Sequence, residues 1–249
     1  MGFFDFLKRG SSPPAEFGDK RVSSLAKVVG DKRAQTYDRT EAIRELGKMQ
    51  SREAAQALLK RFTFTMDPSI TDQEEKEAAY EGIVAVGEDA IEAVLAFCDK
   101  AEVLTWPIRI LREILDDEGY KEKLLLLAKD FDTDYTRNVE PKLQVIGALE
   151  EVRGDDVRAC VEEFLRDVNE SVRYHAVQST FAQRDEQRIG ALLDLFCEEE
   201  SVRIKNKICD GFVLKSWKAP AERLETVREA MSDVYDYALG GDGSFSKRG

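Results

Sequence analysis

The chain has 249 residues, 43% of them apolar, which is enough to build a sizeable core and excludes wholesale disorder. Its 49 acidic residues against 37 basic ones leave a net charge of −12, a balance that argues against nucleic acid as a partner without a local basic patch. No stretch comes near the ~18 uninterrupted apolar residues that a spanning helix needs.

In chain order, the segment Met1–Arg9 (MGFFDFLKR) comes first. Phe3, Phe4, Phe6 and Leu7 crowd it, and Lys8 and Arg9 close it. Three readings stay open: a short interfacial helix in weak peripheral contact with a membrane, a docking peptide for a groove in another protein, and a segment folded back on the body. The segment lacks the layout of a secretory signal, and Phe6 stands where a myristoylation signal wants Ser or Thr. Residues 10–19 (GSSPPAEFGD) read as a flexible linker, 20–239 as the body and 240–249 (GGDGSFSKRG) as a flexible tail.

Within the body, helix-period patterning is nearly continuous and strand alternation almost absent. Pro68, Pro107, Pro141 and Pro220 fall near expected helix starts or in turns, where a missing N–H costs little. The fold class is therefore all-α. Windows opening at Glu140, Glu170 and Glu200 repeat at a spacing of 30, with ESVR recurring at Glu170–Arg173 and Glu200–Arg203. The segment from Asp38 aligns with the Pro141 window without a gap: Ile43 falls on Ile146, Leu46 on Leu149, Met49 on Val152 and Leu58 on Val161. Looser units open near Glu75 and Val103, giving about six helical hairpins. Val157, Cys160, Val161, Phe164 and Leu165 follow the spacing of one buried face, and Ile189, Leu192, Leu193 and Phe196 do the same one unit later.

The RTEAIRELG and DVNESVRYHAV segments, with the 30-residue helix–turn–helix period, resemble HEAT repeats, in particular the short bacterial type found in phycobilisome-lyase-like proteins. The resemblance covers about Asp38 to Asp236. It implies a right-handed α-solenoid of about six stacked antiparallel helix pairs, whose second helices line a concave surface. It also implies two kinds of activity: a non-enzymatic scaffold or adaptor for a partner protein or peptide, or, as the alternative, a lyase-like enzyme or chaperone acting on a chromophore protein. A third activity among HEAT-like proteins, removal of DNA bases, needs a basic groove that the charge balance does not favour.

No catalytic constellation, metal cluster or cofactor motif stands out. His175 is the lone histidine, there is no GxGxxG, Walker-type loop or HExxH, and Cys98, Cys160, Cys197 and Cys209 are too far apart for a zinc site. The cysteines read as core thiols and the acidic pairs Asp116–Asp117 and Asp155–Asp156, with the run Glu198–Glu200, as caps and solvated turns. Trp106 and Trp217 read as core, and Arg173 and Arg203 as bonded to carbonyls or acids of the preceding turn. Helical phase puts Arg52, Gln56, Glu92, Glu162, Glu163, Arg188 and Asp194 on the partner-binding face, a mixed and partly acidic set that suits a protein or a basic peptide. Reduced thiols and the missing export signal point to the cytoplasm, with the inner membrane surface added if the N-terminal segment binds lipid.

Overall fold

The computed structural model describes residues 19–248, so the N-terminal segment Phe3–Arg9 and nearly all of the linker lie outside the described residues. Thirteen α-helices follow one another: α1 (Lys20–Val29), α2 (Thr36–Met49), α3 (Arg52–Leu59), α4 (Ser69–Val84), α5 (Ile91–Cys98), α6 (Thr105–Ile114), α7 (Asp117–Ala128), α8 (Glu140–Ala148), α9 (Asp155–Glu163), α10 (Glu170–Gln183), α11 (Ile189–Glu198), α12 (Val202–Lys215) and α13 (Leu224–Ala230). Among the described residues the fold is all-α apart from one small hairpin, β1 (Tyr237–Leu239) and β2 (Phe245–Lys247). Helix starts obey the chemistry of orphan N–H groups. Asp19 accepts from Arg21 N at 2.7 Å, Asp116 from Gly119 N at 2.8 Å and Asn169 from Ser171 N at 2.9 Å. Pro141 occupies the first turn of α8 and Pro68 the cap position of α4, where no N–H is needed.

The described residues form two compact units, 19–101 with 109–114, and 102–108 with 115–248. In the first, α2 packs on α4 and α3 on α5, with α1 laid against α2 and α3. First helices thus make one layer and second helices the other. Gly47 and Gly82 let α2 and α4 approach closely: a Cβ on Gly82 would stand 2.8 Å from Leu58 Cδ1 and 3.2 Å from the Gly47 Cα. In the second unit α8, α10 and α12 make a layer in which each packs on the next, while α7 packs on α9 and α11 on α13. The aligned positions Ile43 and Ile146, Leu46 and Leu149, and Leu58 and Val161 are all buried, as the repeat predicts.

What the alignment does not predict is the charge inside these layers. Arg39 and Arg61 are both 0% exposed. Their Nε atoms donate to the same carboxylate oxygen, Glu75 Oε2, each at 2.7 Å. Arg61 Nη2 and Lys76 Nζ reach Asp72 at 2.6 and 2.7 Å, and Arg39 Nη1 donates to the Ala34 carbonyl at 2.8 Å. The second unit repeats the device. Lys142 Nζ donates to the Asp132 carbonyl at 2.6 Å and to Asp167 Oδ2 at 2.7 Å. Arg173 then takes the Asp167 carbonyl at 2.9 Å and both oxygens of Glu199 at 2.7 and 2.8 Å. Lys205 donates to the Ala230 carbonyl at 3.0 Å and to Asp233 at 2.9 Å. A cation on each of these first helices thus bonds a carbonyl outside its own helix as well as a carboxylate, tying segments together that share no ladder of backbone bonds.

The last residues depart from the sequence reading. Residues 240–248, expected as a flexible tail, turn back as an antiparallel hairpin pairing Tyr237 with Lys247, Ala238 with Ser246 and Leu239 with Phe245. The glycine-rich run is a tight turn: Gly243 sits at φ 83°, and its carbonyl accepts from Ala219 N at 2.9 Å. Phe245 anchors it. That ring is 7% exposed, with its centroid 4.7 Å from Phe212 and 6.3 Å from Phe196. Trp217 joins the same aromatic cluster through Phe181 at 5.4 Å and is buried, whereas Trp106 is half-buried. Replacing Phe245 by Ala is expected to cost about 3 kcal/mol in urea unfolding, the range for a buried Phe; a tail that stayed free of the body would show no change.

Candidate functional site

In the first unit Arg52, at the start of α3, pairs with Glu92 on α5; both are exposed, and Gln56 is half-buried between turns of α3. In the second unit Glu162, near the end of α9, pairs with Arg188, which stands in the 3-10 turn immediately before α11. Asp194 on α11 pairs with Arg223 of the turn that leads into α13. Of the seven residues, all but Gln56 carry charge, and five of them are ion-paired with one another or with a neighbouring turn. Exposed pairs of this kind contribute ~0–1 kcal/mol each.

Four of the seven come together around two cavities of the second unit. One, of about 570 Å³, is lined by Glu162, Arg166, Asp194, Leu195, Glu198 and Glu200 among others. The other, of about 400 Å³, is lined by Thr133, Ala159, Glu162, Glu163, Arg166 and Arg188. Glu162 and Arg166 belong to both, so the two form one trough along the edge of α9 and α11. Its apolar lining comes from the half-buried Ala191 and Leu195 and the edge of the buried Leu165. Arg166, Glu198, Glu199 and Glu200 were not placed on the binding face by helical phase: Glu198 is the last residue of α11, and the other three stand beyond the ends of α9 and α11, where a 100° period no longer applies.

Among the acids expected as caps and solvated turns, Asp116 caps α7 and Glu198 and Glu200 are exposed, but Glu199 departs from that role. Glu199 is buried, and its Oε1 also accepts from Ser201 N at 2.9 Å. Burial alone would push its carboxyl up, but the hydrogen bonds from Arg173 and Ser201 outweigh it and hold Glu199 below the usual carboxylate range. Asp72 in the first unit behaves alike: burial raises it, and the bonds from Lys76 and Arg61 bring it below its ordinary value. Asp155 and Asp156 lie in the first turn of α9, behind an uncapped Gly154, and so act on the helix dipole rather than as the cap. Arg173 bonds the preceding turn as expected. Arg203 instead reaches back to Glu170 at 3.1 Å and lies over the Tyr174 ring, 3.8 Å from its centroid.

The thiols are unreactive in character. Cys98 and Cys209 are buried, and Cys160 and Cys197 half-buried. Burial pushes Cys160 up to about 11 and Cys209 up to about 12, with the negative charge of Glu163 and of Asp210 adding to each. His175 is half-buried edge-on to Tyr174 at 6.0 Å. Among the described residues no group of three or more His, Cys, Asp or Glu could hold a metal ion, and no helix is long and apolar enough to cross a membrane.

The class these observations define is an all-α protein built of paired helices with an acid-rimmed trough on its second-helix side. No family model and no curated protein matches the chain. A solved chain described as "Computational Design of Self-Assembling Cyclic Protein Homooligomers" is 16% identical over 86% of this chain and 77% of its own, at a TM-score of 0.15, too low to carry an argument about fold.

A carboxylate whose folded value is depressed gives stability that is complete above its unfolded value near ~4 and lost as pH falls through the folded one. The melting temperature is thus expected to drop below about pH 5. Glu199→Gln should start lower at neutral pH and show a shallower acid limb in the same melts, and an unchanged limb would remove Glu199 from the account.

Proposed function

We propose that the chain is a non-enzymatic HEAT-like scaffold, a right-handed solenoid of stacked helix pairs that binds a protein or peptide partner along its concave second-helix face. The observation that carries this reading is the trough beside α9 and α11. It is open, apolar at its floor and charged at its rim, and its rim charges are in large part surplus to the ion pairs that hold the helices. Support for the solenoid comes from the 30-residue repeat and from the layering of first helices on first helices within each unit. The segment Phe3, Phe4, Phe6, Leu7, Lys8 and Arg9 is a second contact in this scheme, recruiting the scaffold to a membrane surface or a second protein.

The test compares capture of partners from native lysate by the full chain, by a second-helix variant carrying alanine at Arg52, Gln56, Glu92, Glu162, Glu163, Arg188 and Asp194, and by a control carrying alanine at Arg44, Lys48 and Arg203 on first helices. Capture that falls at least about tenfold for the first variant alone, with melting curves unchanged, is the expected outcome. Equal capture by all three would end the scaffold reading.

A further inference from the structure

We propose that the trough along α9 and α11 receives an extended basic segment of a partner protein, with its cationic side chains set against Glu163, Glu198 and Glu200. The inference rests on the scaffold reading and adds the chemistry of the partner. It follows from an inventory of the trough's carboxylates. Asp167 and Glu199 are spent below the surface, on Lys142 and Arg173. Glu162 is answered by Arg188 and Asp194 by Arg223. Glu163, Glu198 and Glu200 are exposed, line the two cavities, and have no cation within ion-pair distance among the described residues. Three like charges along one concave wall raise each other's energy and attract a cation of matching spacing, the more so because low-dielectric walls focus their field.

The remaining features narrow the ligand from any cation to a peptide. Leu165, Ala191 and Leu195 give an apolar floor on which the aliphatic stems of Lys or Arg can lie while their heads reach the rim. A bare metal ion has no use for such a floor. Arg166 lines both cavities and is itself exposed without an acid partner among the described residues. A guanidinium donates and never accepts, so amid an acidic rim it suits the carbonyls of an extended backbone running the length of the trough. The longer cavity, about 570 Å³, has room for several side chains of such a segment.

The probe is a short fluorescein-labelled peptide alternating arginine with leucine, titrated into the full chain by fluorescence anisotropy, with a glutamate–leucine peptide as its counterpart. The trough variant is Glu163→Gln, Glu198→Gln and Glu200→Gln together. Its control, Glu53→Gln with Glu74→Gln and Glu88→Gln, removes the same charge from exposed positions of the first unit. The trough variant is expected to weaken the arginine peptide about tenfold and the control less than about twofold. Equal weakening by both would reduce the effect to the overall charge of the chain and overturn the site, as would an arginine peptide that binds no better than the glutamate one. If the trough variant keeps a lysate partner that the seven-alanine variant loses, this inference fails and the scaffold stands. If neither variant changes capture, the scaffold reading fails with it.

Discussion

A buried cation on each of several first helices is the constraint on which the rest of the structure depends. Arg39, Lys142 and the half-buried Arg173 each reach into the turn before their helix, and Lys205 reaches the end of α13, and all four bond a carbonyl oxygen there as well as a carboxylate. In the second unit the contacts form a relay: the Asp167 side chain holds Lys142 while its carbonyl holds Arg173, and Arg173 holds Glu199. Taking such charges out of water is costly, so their net contribution to stability is small. Their contribution is to register. A helix slid by one residue would strand an uncompensated charge in the interior, a penalty of several kcal/mol that apolar contacts alone do not impose.

The trough is a by-product of that arrangement. Because Arg173 draws Glu199 inward and Lys142 draws Asp167, the turns after α9 and α11 are held in place from beneath. Their flanking residues Arg166, Glu198 and Glu200 are therefore displayed on a fixed backbone rather than on loose loops. Rigid presentation lowers the conformational cost of binding, which is how a shallow, polar surface can still hold a partner. Glycine has the complementary role in the other layer. Gly211 has the Phe181 ring where a Cβ would be, 2.2 Å away, so the first helices α10 and α12 close over the aromatic cluster.

The helices and their apolar faces were legible because periodicity is a local property of sequence. Val157, Val161, Leu192, Leu193 and Phe196 are buried where a 3.6-residue period puts them. The buried cations were legible in principle. Lys142 precedes Val145 and Ile146 by three and four residues, Arg39 does the same to Ala42 and Ile43, and Lys205 to Ile208 and Cys209, which sets all three on the core-facing stripe. A reading that takes charge to mean solvent passes over them. The partners could not be found that way, since Asp167, Glu199 and Asp233 stand 25 to 28 residues downstream of their cations and meet them only once the helices have packed. Helical phase found part of the trough's rim, Glu162, Glu163, Arg188 and Asp194, and passed over Arg166 and Glu200, which follow the ends of α9 and α11. The hairpin was missed for another reason. Glycine suits both a loose tail and a tight turn, and the decision fell to one aromatic residue, Phe245.

That residue bears on how the chain is made. Phe181, Phe196, Phe212 and Trp217 all precede it, and the face they share is completed by a ring that follows all four in the sequence. On the ribosome, helices α10 to α13 emerge with that face still open to water, and they stay a sticky, half-finished surface until β2 has been made. Chaperones and proteases therefore meet this part of the newborn protein chiefly in the interval before β2 is made, when four aromatic rings are on display until that strand folds down.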